Sequence, residues 1–243
     1  MRLLATKFAL LAGMGALALG ACRKETIETE PSLPDYADWY ALRSPEGRAI
    51  EAVYGDLDST LVISTQFNIY QTKDRGKTWL ASDYKANYSV EGFLMRNDTL
   101  LALSTTATGL GAAGASYAIS PLYCSVDKGA TWRAYRNWTR QGIEPKVVLN
   151  SAASPGGTTY SIDELRIPTS PNSTSYYVET VGIKSSAGTT LTLPNDHVIT
   201  SICFDTKSRL YVTASAALCG RRENFAYCGK PNGILYVSKR PQP

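Results

Sequence analysis

The sequence predicts an all-β chain assembled from repeated four-stranded antiparallel units, and three observations carry that prediction. The octapeptide Thr72-Lys73-Asp74-Arg75-Gly76-Lys77-Thr78-Trp79 returns as Ser125-Val126-Asp127-Lys128-Gly129-Ala130-Thr131-Trp132. Its glycines are 53 residues apart, a period typical of stacked or radial supersecondary units. Each copy follows an aliphatic–Tyr pair, Ile69-Tyr70 and Leu122-Tyr123, in a chain whose 15 Tyr, 4 Trp and many Thr and Ser suit short strands.

The first unit reads as strands at 50–54, 60–64, 68–72 and 77–81, each β-branched or aromatic and separated by turn residues. The second repeats the layout at 90–95, 100–104, 121–125 and 130–134. A third is eroded. Gly188 follows Gly129 by 59 residues, Ser186 stands in the Asp position and Leu191 in the Trp position, after a strand at 176–180. Its inner strand is expected at 163–167. The fourth runs through 199–204, 209–213 and 233–238, where Leu235-Tyr236 repeats the aliphatic–Tyr pair, and it lacks a fourth strand before Pro243. Asp38-Trp39-Tyr40-Ala41-Leu42 resembles the Trp-bearing strands at 77–81 and 130–134. Pairing of 37–43 with 233–239 would complete that unit and protect its edge.

The octapeptide resembles the Asp-box, or BNR, repeat of β-propellers. Its chemistry is that of a tight turn. The Asp accepts backbone N–H bonds, the Gly takes a positive φ, and the Trp packs back over the hairpin. The resemblance implies a small β-propeller of four blades, each of four antiparallel strands, in one domain over 36–243. A distorted five-bladed ring and an open sandwich are the alternatives. It also implies a structural role for Asp74, Gly76, Trp79, Asp127, Gly129 and Trp132, on the face opposite the ligand.

The N-terminus reads as a targeting segment. Arg2 and Lys7 precede an apolar stretch, 8–19, that is short for a membrane span. Leu19-Gly20-Ala21-Cys22 resembles a bacterial lipobox. That resemblance implies a signal peptide over 1–21, lipidation of Cys22, a flexible tether over 22–35, and a protein anchored by lipid in the bacterial cell envelope, at the outer membrane or cell surface. Without residues 1–21 the chain holds 23 basic and 21 acidic residues, too balanced for a nucleic-acid partner. Cys219 and Cys228, nine positions apart in one loop of an exported chain, are candidate disulfide partners. No Cys or His spacing fits a metal site, and no cofactor motif is present.

Long segments at 105–120, 135–160 and 214–232 should gather on one face. They carry the candidate ligand residues Trp138, Arg140, Arg221, Arg222 and Tyr227, where guanidinium forks and aromatic faces suit polar or acidic groups and sugars. Two features invite an enzyme reading. Leu165-Arg166-Ile167-Pro168 resembles the [F/Y]-R-I-P motif of sialidases, but it follows two boxes instead of preceding them, in a chain of about four repeats where that family has six blades. His197 is the only histidine, which weakens nucleophile schemes built on histidine. Paired carboxylates drawn from Asp163, Glu164 and Glu179 would suffice for a glycoside hydrolase. The leading expectation is a lipoprotein whose propeller binds or scaffolds a protein or glycan. The alternatives are a divergent, sialidase-like glycan hydrolase and an assembly factor for membrane complexes.

Overall fold

The computed structural model describes residues 26–28, 33–136 and 145–243. Cys22, Trp138 and Arg140 lie outside the described residues. The chain opens with β1 (Thr26–Glu28) and β2 (Trp39–Arg43). Blade 1 comprises β3 (Ala52–Gly55), β4 (Leu61–Ser64), β5 (Ile69–Thr72) and β6 (Thr78–Ala81). Blade 2 comprises β7 (Gly92–Arg96), β8 (Thr99–Thr108), β9 (Ser116–Ser125) and β10 (Arg133–Ala134), and β11 (Val147–Val148) pairs with β9 at Tyr117 and Ala118. Blade 3 comprises β12 (Ser151–Ala153), β13 (Thr159–Pro168), β14 (Tyr176–Ser185) and β15 (Thr190–Leu191). In blade 4, β16 (Ile199–Phe204) and β17 (Leu210–Ala214) are followed by a small hairpin, β18 (Leu218–Gly220) and β19 (Ala226–Tyr227), and then by β20 (Ile234–Ser238).

All pairings are antiparallel, and each blade runs in chain order from inner to outer strand. The fourth strand of blade 4 is β2, in register from Trp39↔Ser238 to Arg43↔Ile234. The fold is therefore a four-bladed β-propeller closed by β2, a strand from the N-terminal part of the chain.

Three expectations change. The inner strand of blade 3 is β12, and 163–167 falls inside its second strand. Ser151-Ala152-Ala153 is small and carries no apolar alternation, so it gives no strand signal. The segment 105–120 is mostly strand: β8 and β9 extend by several residues and leave a turn at 109–115. Residues 26–28, read as tether, pair with β6 through Ile27↔Trp79 and give blade 1 a fifth strand.

Among the described residues the core divides into clusters that match the seams between blades. Leu57, Ile63, Trp79, Tyr211 and Leu235 fill the seam between blades 4 and 1. Val62, Tyr84, Val90, Phe93 and Trp132 fill that between blades 1 and 2. Tyr160, Ile183, Ile202, Val212 and Tyr236 join blades 3 and 4. The seam between blades 2 and 3 is smaller, with Leu101, Leu103, Ala118, Cys124 and Leu149.

The octapeptide turns staple two of these seams. Asp74 accepts hydrogen bonds from Thr78 N (2.9 Å), Thr78 Oγ1 (2.6 Å) and Thr72 Oγ1 (2.8 Å), while Gly76 N donates to Thr72 Oγ1 (2.9 Å). Asp127 repeats the set with Thr131 N, Thr131 Oγ1 and Ser125 Oγ at 2.7–2.9 Å. Burial alone would raise both carboxyls; these bonds outweigh it and hold them below the usual range. Each turn reaches the preceding blade. A Cβ on Gly76 would lie 2.9 Å from Leu42 on β2, and Trp79 Nε1 donates to Arg43 O (3.0 Å). A Cβ on Gly129 would lie 3.1 Å from Val62, and Gln71 Nε2 donates to Lys128 O (2.5 Å). Around Gly188 the space is open, with no neighbour among the described residues within 4 Å of where a Cβ would stand. The eroded turn therefore makes no such contact.

Candidate functional site

The face opposite the octapeptide turns carries the hairpin extensions. In blade 2 the extension is covered. The strand β11 lies along its edge, Lys146 Nζ donates to Leu110 O (2.6 Å) and stands 4.6 Å from the Tyr117 ring centroid, and Asn150 ties Gly114 to Ser116. In blade 3 no other described strand covers the extension. The inner strand β12 reaches only to Ser161 and the outer strand β15 only to Ile183 and Lys184. Beyond them, 164–168 and 176–180 form a two-stranded ribbon that no other strand among the described residues joins. A bulge at Asp163/Glu164, opposite Gly182 and Thr180, re-aims it. Tyr176 (51 % exposed) and Val178 (54 %) sit on one face, and Tyr177 and Leu165, also exposed, on the other.

Beside the ribbon stands the loop between β17 and β20. Cys219 and Cys228 are joined in a disulfide with a Cα–Cα distance of 5.0 Å. Phe225 and Tyr227 contact edge to face at 5.1 Å and are both exposed. Arg221 and Arg222 converge on Glu179 of the ribbon, at 3.2 and 2.7 Å, and Arg221 also lies 3.5 Å from Asp196. The Arg222 hydrogen bond, with both arginine charges, holds the Glu179 carboxyl below its usual range. These guanidinium groups thus brace the loop against the ribbon.

The candidate enzyme groups do not converge. Arg166 pairs across strands with Val178, so it lies on the ribbon face opposite Glu179 and its arginines. Its side chain is 67 % exposed, with Glu164 at 3.9 Å. Asp163 is paired with Lys184 at 2.6 Å. His197 is buried between Ser215 O and the Tyr236 hydroxyl, each 2.9 Å away, and burial lowers its pKa, as for a neutral imidazole in the core. One carboxylate does stand out. Glu51, just ahead of β3, is pushed up to about 7 by burial and by Glu91, which stands in the same position ahead of β7.

A cavity lies on the other face, among the octapeptide turns, away from the loops that the sequence singles out. It measures about 380 Å³ and is walled by the lower ends of the inner strands of blades 1, 2 and 4, with Val53, Tyr54, Phe93, Met95, Cys203 and Phe204. Burial, and then the nearby Asp205, push the Cys203 thiol up to about 12. Lys128 of the second octapeptide stands at the rim. Sequence reasoning missed this site because its walls are ordinary strand residues, brought together only when three blades meet.

No protein-family profile and no curated protein matches the chain. Solved β-propellers do resemble it in fold. The WD40 β-propeller domain of Doa1 shares 10 % identity at a TM-score of 0.34, covering 85 % of this chain and 99 % of its own. Streptogramin B lyase shares 9 % at 0.38, covering 83 % and 98 %. YCF48 bound to D1 peptide shares 15 % at 0.28, covering 85 % and 74 %. The likeness concerns the fold alone. The class that strand order and closure define is the small four-bladed β-propeller.

Proposed function

We propose that this chain is a lipid-anchored protein of the bacterial cell envelope whose Asp-box propeller binds a protein or glycan through the hairpin face. The ribbon of blade 3, which no other described strand joins, is the observation that carries the reading. A two-stranded ribbon is marginal on its own in water, and an uncovered edge offers a row of N–H and C=O groups to a partner strand. Apolar side chains on both faces add surface that a partner would cover. The disulfide-bounded loop, braced by Arg221 and Arg222, holds Phe225 and Tyr227 beside it, where aromatic faces suit either a peptide or a sugar. Lipidation at Cys22 would place this face at a membrane surface.

The test uses the full chain, screened on a glycan array, against envelope extracts and with chromogenic glycosides. The expected result is saturable binding without turnover, lost in the double variant Tyr176→Ser, Val178→Ser. Turnover that disappears in Glu179→Gln would overturn the binding reading in favour of a hydrolase. Cys22→Ala should move the protein from the membrane to the soluble fraction, and unchanged fractionation would refute the anchor.

A further inference from the structure

The cavity on the octapeptide face has a definite chemistry. Its walls, Val53, Val62, Phe93, Met95 and Phe204, are apolar, and four of the lining residues, Tyr54, Phe93, Phe204 and Tyr211, are aromatic. Its volume of about 380 Å³ falls at the lower end of the range for small-molecule sites, roughly 300–1,000 Å³.

The charges around it are unevenly satisfied. Asp56 and Asp205 line the cavity, and Asp58 stands beside them. All three are engaged. Arg209, whose side chain is 9 % exposed, reaches Asp56, Asp58 and Asp205 at 2.6–2.9 Å. Lys207 adds contacts to Asp56 and Asp58 at 3.0 and 2.8 Å, and Arg75 one to Asp58 at 2.5 Å. The three acids thus meet three cations. Asp127 is turned into its own octapeptide by the bonds from Thr131 and Ser125. Lys128 is different. Only its backbone carbonyl is used, by Gln71, and its ammonium has no ion-pair partner among the described residues. The Tyr54 hydroxyl, also on the cavity wall, has no hydrogen-bond partner among them either. Burial raises its pKa, so it stays a protonated donor at neutral pH. Besides the neutral hydroxyls of Ser59, Thr60 and Thr206, the groups left free are therefore two donors, one of them cationic, above an aromatic-lined apolar pocket.

We propose that this cavity binds an aromatic monocarboxylate, with the ring between Phe93, Met95 and Phe204 and the carboxylate toward Lys128 Nζ and the Tyr54 hydroxyl. Aromatic rings and the Met95 thioether favour a flat π-face over an aliphatic chain. The lone ammonium favours an anion over a neutral or cationic head group. This site is on the opposite face from the ribbon and does not depend on the function proposed above.

Isothermal titration of the purified full chain with 1-naphthaleneacetate, 2-(1-naphthyl)ethanol, 1-naphthylmethylamine and octanoate tests the assignment. Naphthaleneacetate should bind at one site, about fivefold or more tighter than the alcohol, as one partly exposed charge allows, with the amine weaker still. Lys128→Gln should remove that preference while keeping the alcohol's affinity. Met95→Trp, at a partly exposed position, should fill the mouth and abolish binding while circular dichroism stays unchanged. Equal affinity for the three naphthyl head groups, no binding at millimolar ligand, or binding indifferent to Met95→Trp would each overturn the proposal. Octanoate binding as tightly as naphthaleneacetate would overturn the aromatic assignment.

Discussion

At the scale of single residues, Glu51 is the group whose environment departs most usefully from its ordinary chemistry. Burial, followed by the neighbouring Glu91, lifts its pKa from 4.5 to about 7. Such a group binds its proton more tightly in the folded chain than in the unfolded one. Stability is therefore highest below the unfolded value of 4.5, falls as pH rises toward 7, and levels off above it. Glu51→Gln keeps the neutral shape at every pH. It should leave stability nearly unchanged at pH 4 and raise it by about 1–3 kcal/mol at pH 8. Urea unfolding at the two pH values reads this directly, and a variant that gains nothing at pH 8 would show that Glu51 is solvated. The same scale explains why Arg221 and Arg222 looked like ligand groups in the sequence. Two adjacent arginines in a long loop carry no sign that Glu179, more than 40 residues away, already meets them at 2.7–3.2 Å.

At the scale of elements, what was legible had a local signature. Period, aliphatic–Tyr pairs and octapeptide turns located most strands of blades 1, 2 and 4, and the likeness of Trp39 to Trp79 and Trp132 located the closing strand. Where the signature was absent, the reading slipped. The short inner strand β12 is Ser-Ala-Ala, so the neighbouring alternation at 163–167 carries the stronger strand signal. The extensions of β8 and β9 look like loop because Thr-, Ser- and Ala-rich strands do not alternate cleanly. The cavity was invisible because it belongs to no single element. The structure adds a use for the octapeptide turn beyond its own geometry, which is contact with the preceding blade. Gly76 (φ +77°) and Gly188 (φ +84°) share a left-handed conformation, but only Gly76 meets a neighbour, Leu42, closely. An alanine at either position should lose about 1–2 kcal/mol to backbone strain, and Gly76→Ala should lose a further ~1–3 kcal/mol to overpacking. Paired thermal melts check the difference, and equal losses would show that the turn of blade 1 does not staple the seam.

At the scale of the whole molecule, stability rests on a ring with one non-covalent closure. The closing strand touches both neighbours of blade 4. Trp39 packs edge to face on Tyr236 at 6.1 Å within the seam to blade 3, while Leu42 lies in the seam to blade 1 under Gly76. Lys239 adds a backbone bond to Asp38 O (2.8 Å) and an ion pair to Asp35 (2.6 Å). Losing this strand would expose the edge of β20 and open two seams together, so the ring should fail as a unit. Trp39→Ala should cost about 3–5 kcal/mol, which for a domain of this size lowers the melting temperature by about 10 °C. Calorimetry should still show one transition, and hydrogen exchange should speed up in all four blades alike. Among the described strands the outer strand β1 pairs with β6 alone, and its Ile27 is only partly buried against the seam between blades 4 and 1, so replacing Ile27 by Ser should shift the melt far less. A second calorimetric transition in Trp39→Ala, or faster exchange confined to blade 4, would mean that the blades unfold separately and that closure protects an edge without coupling the ring.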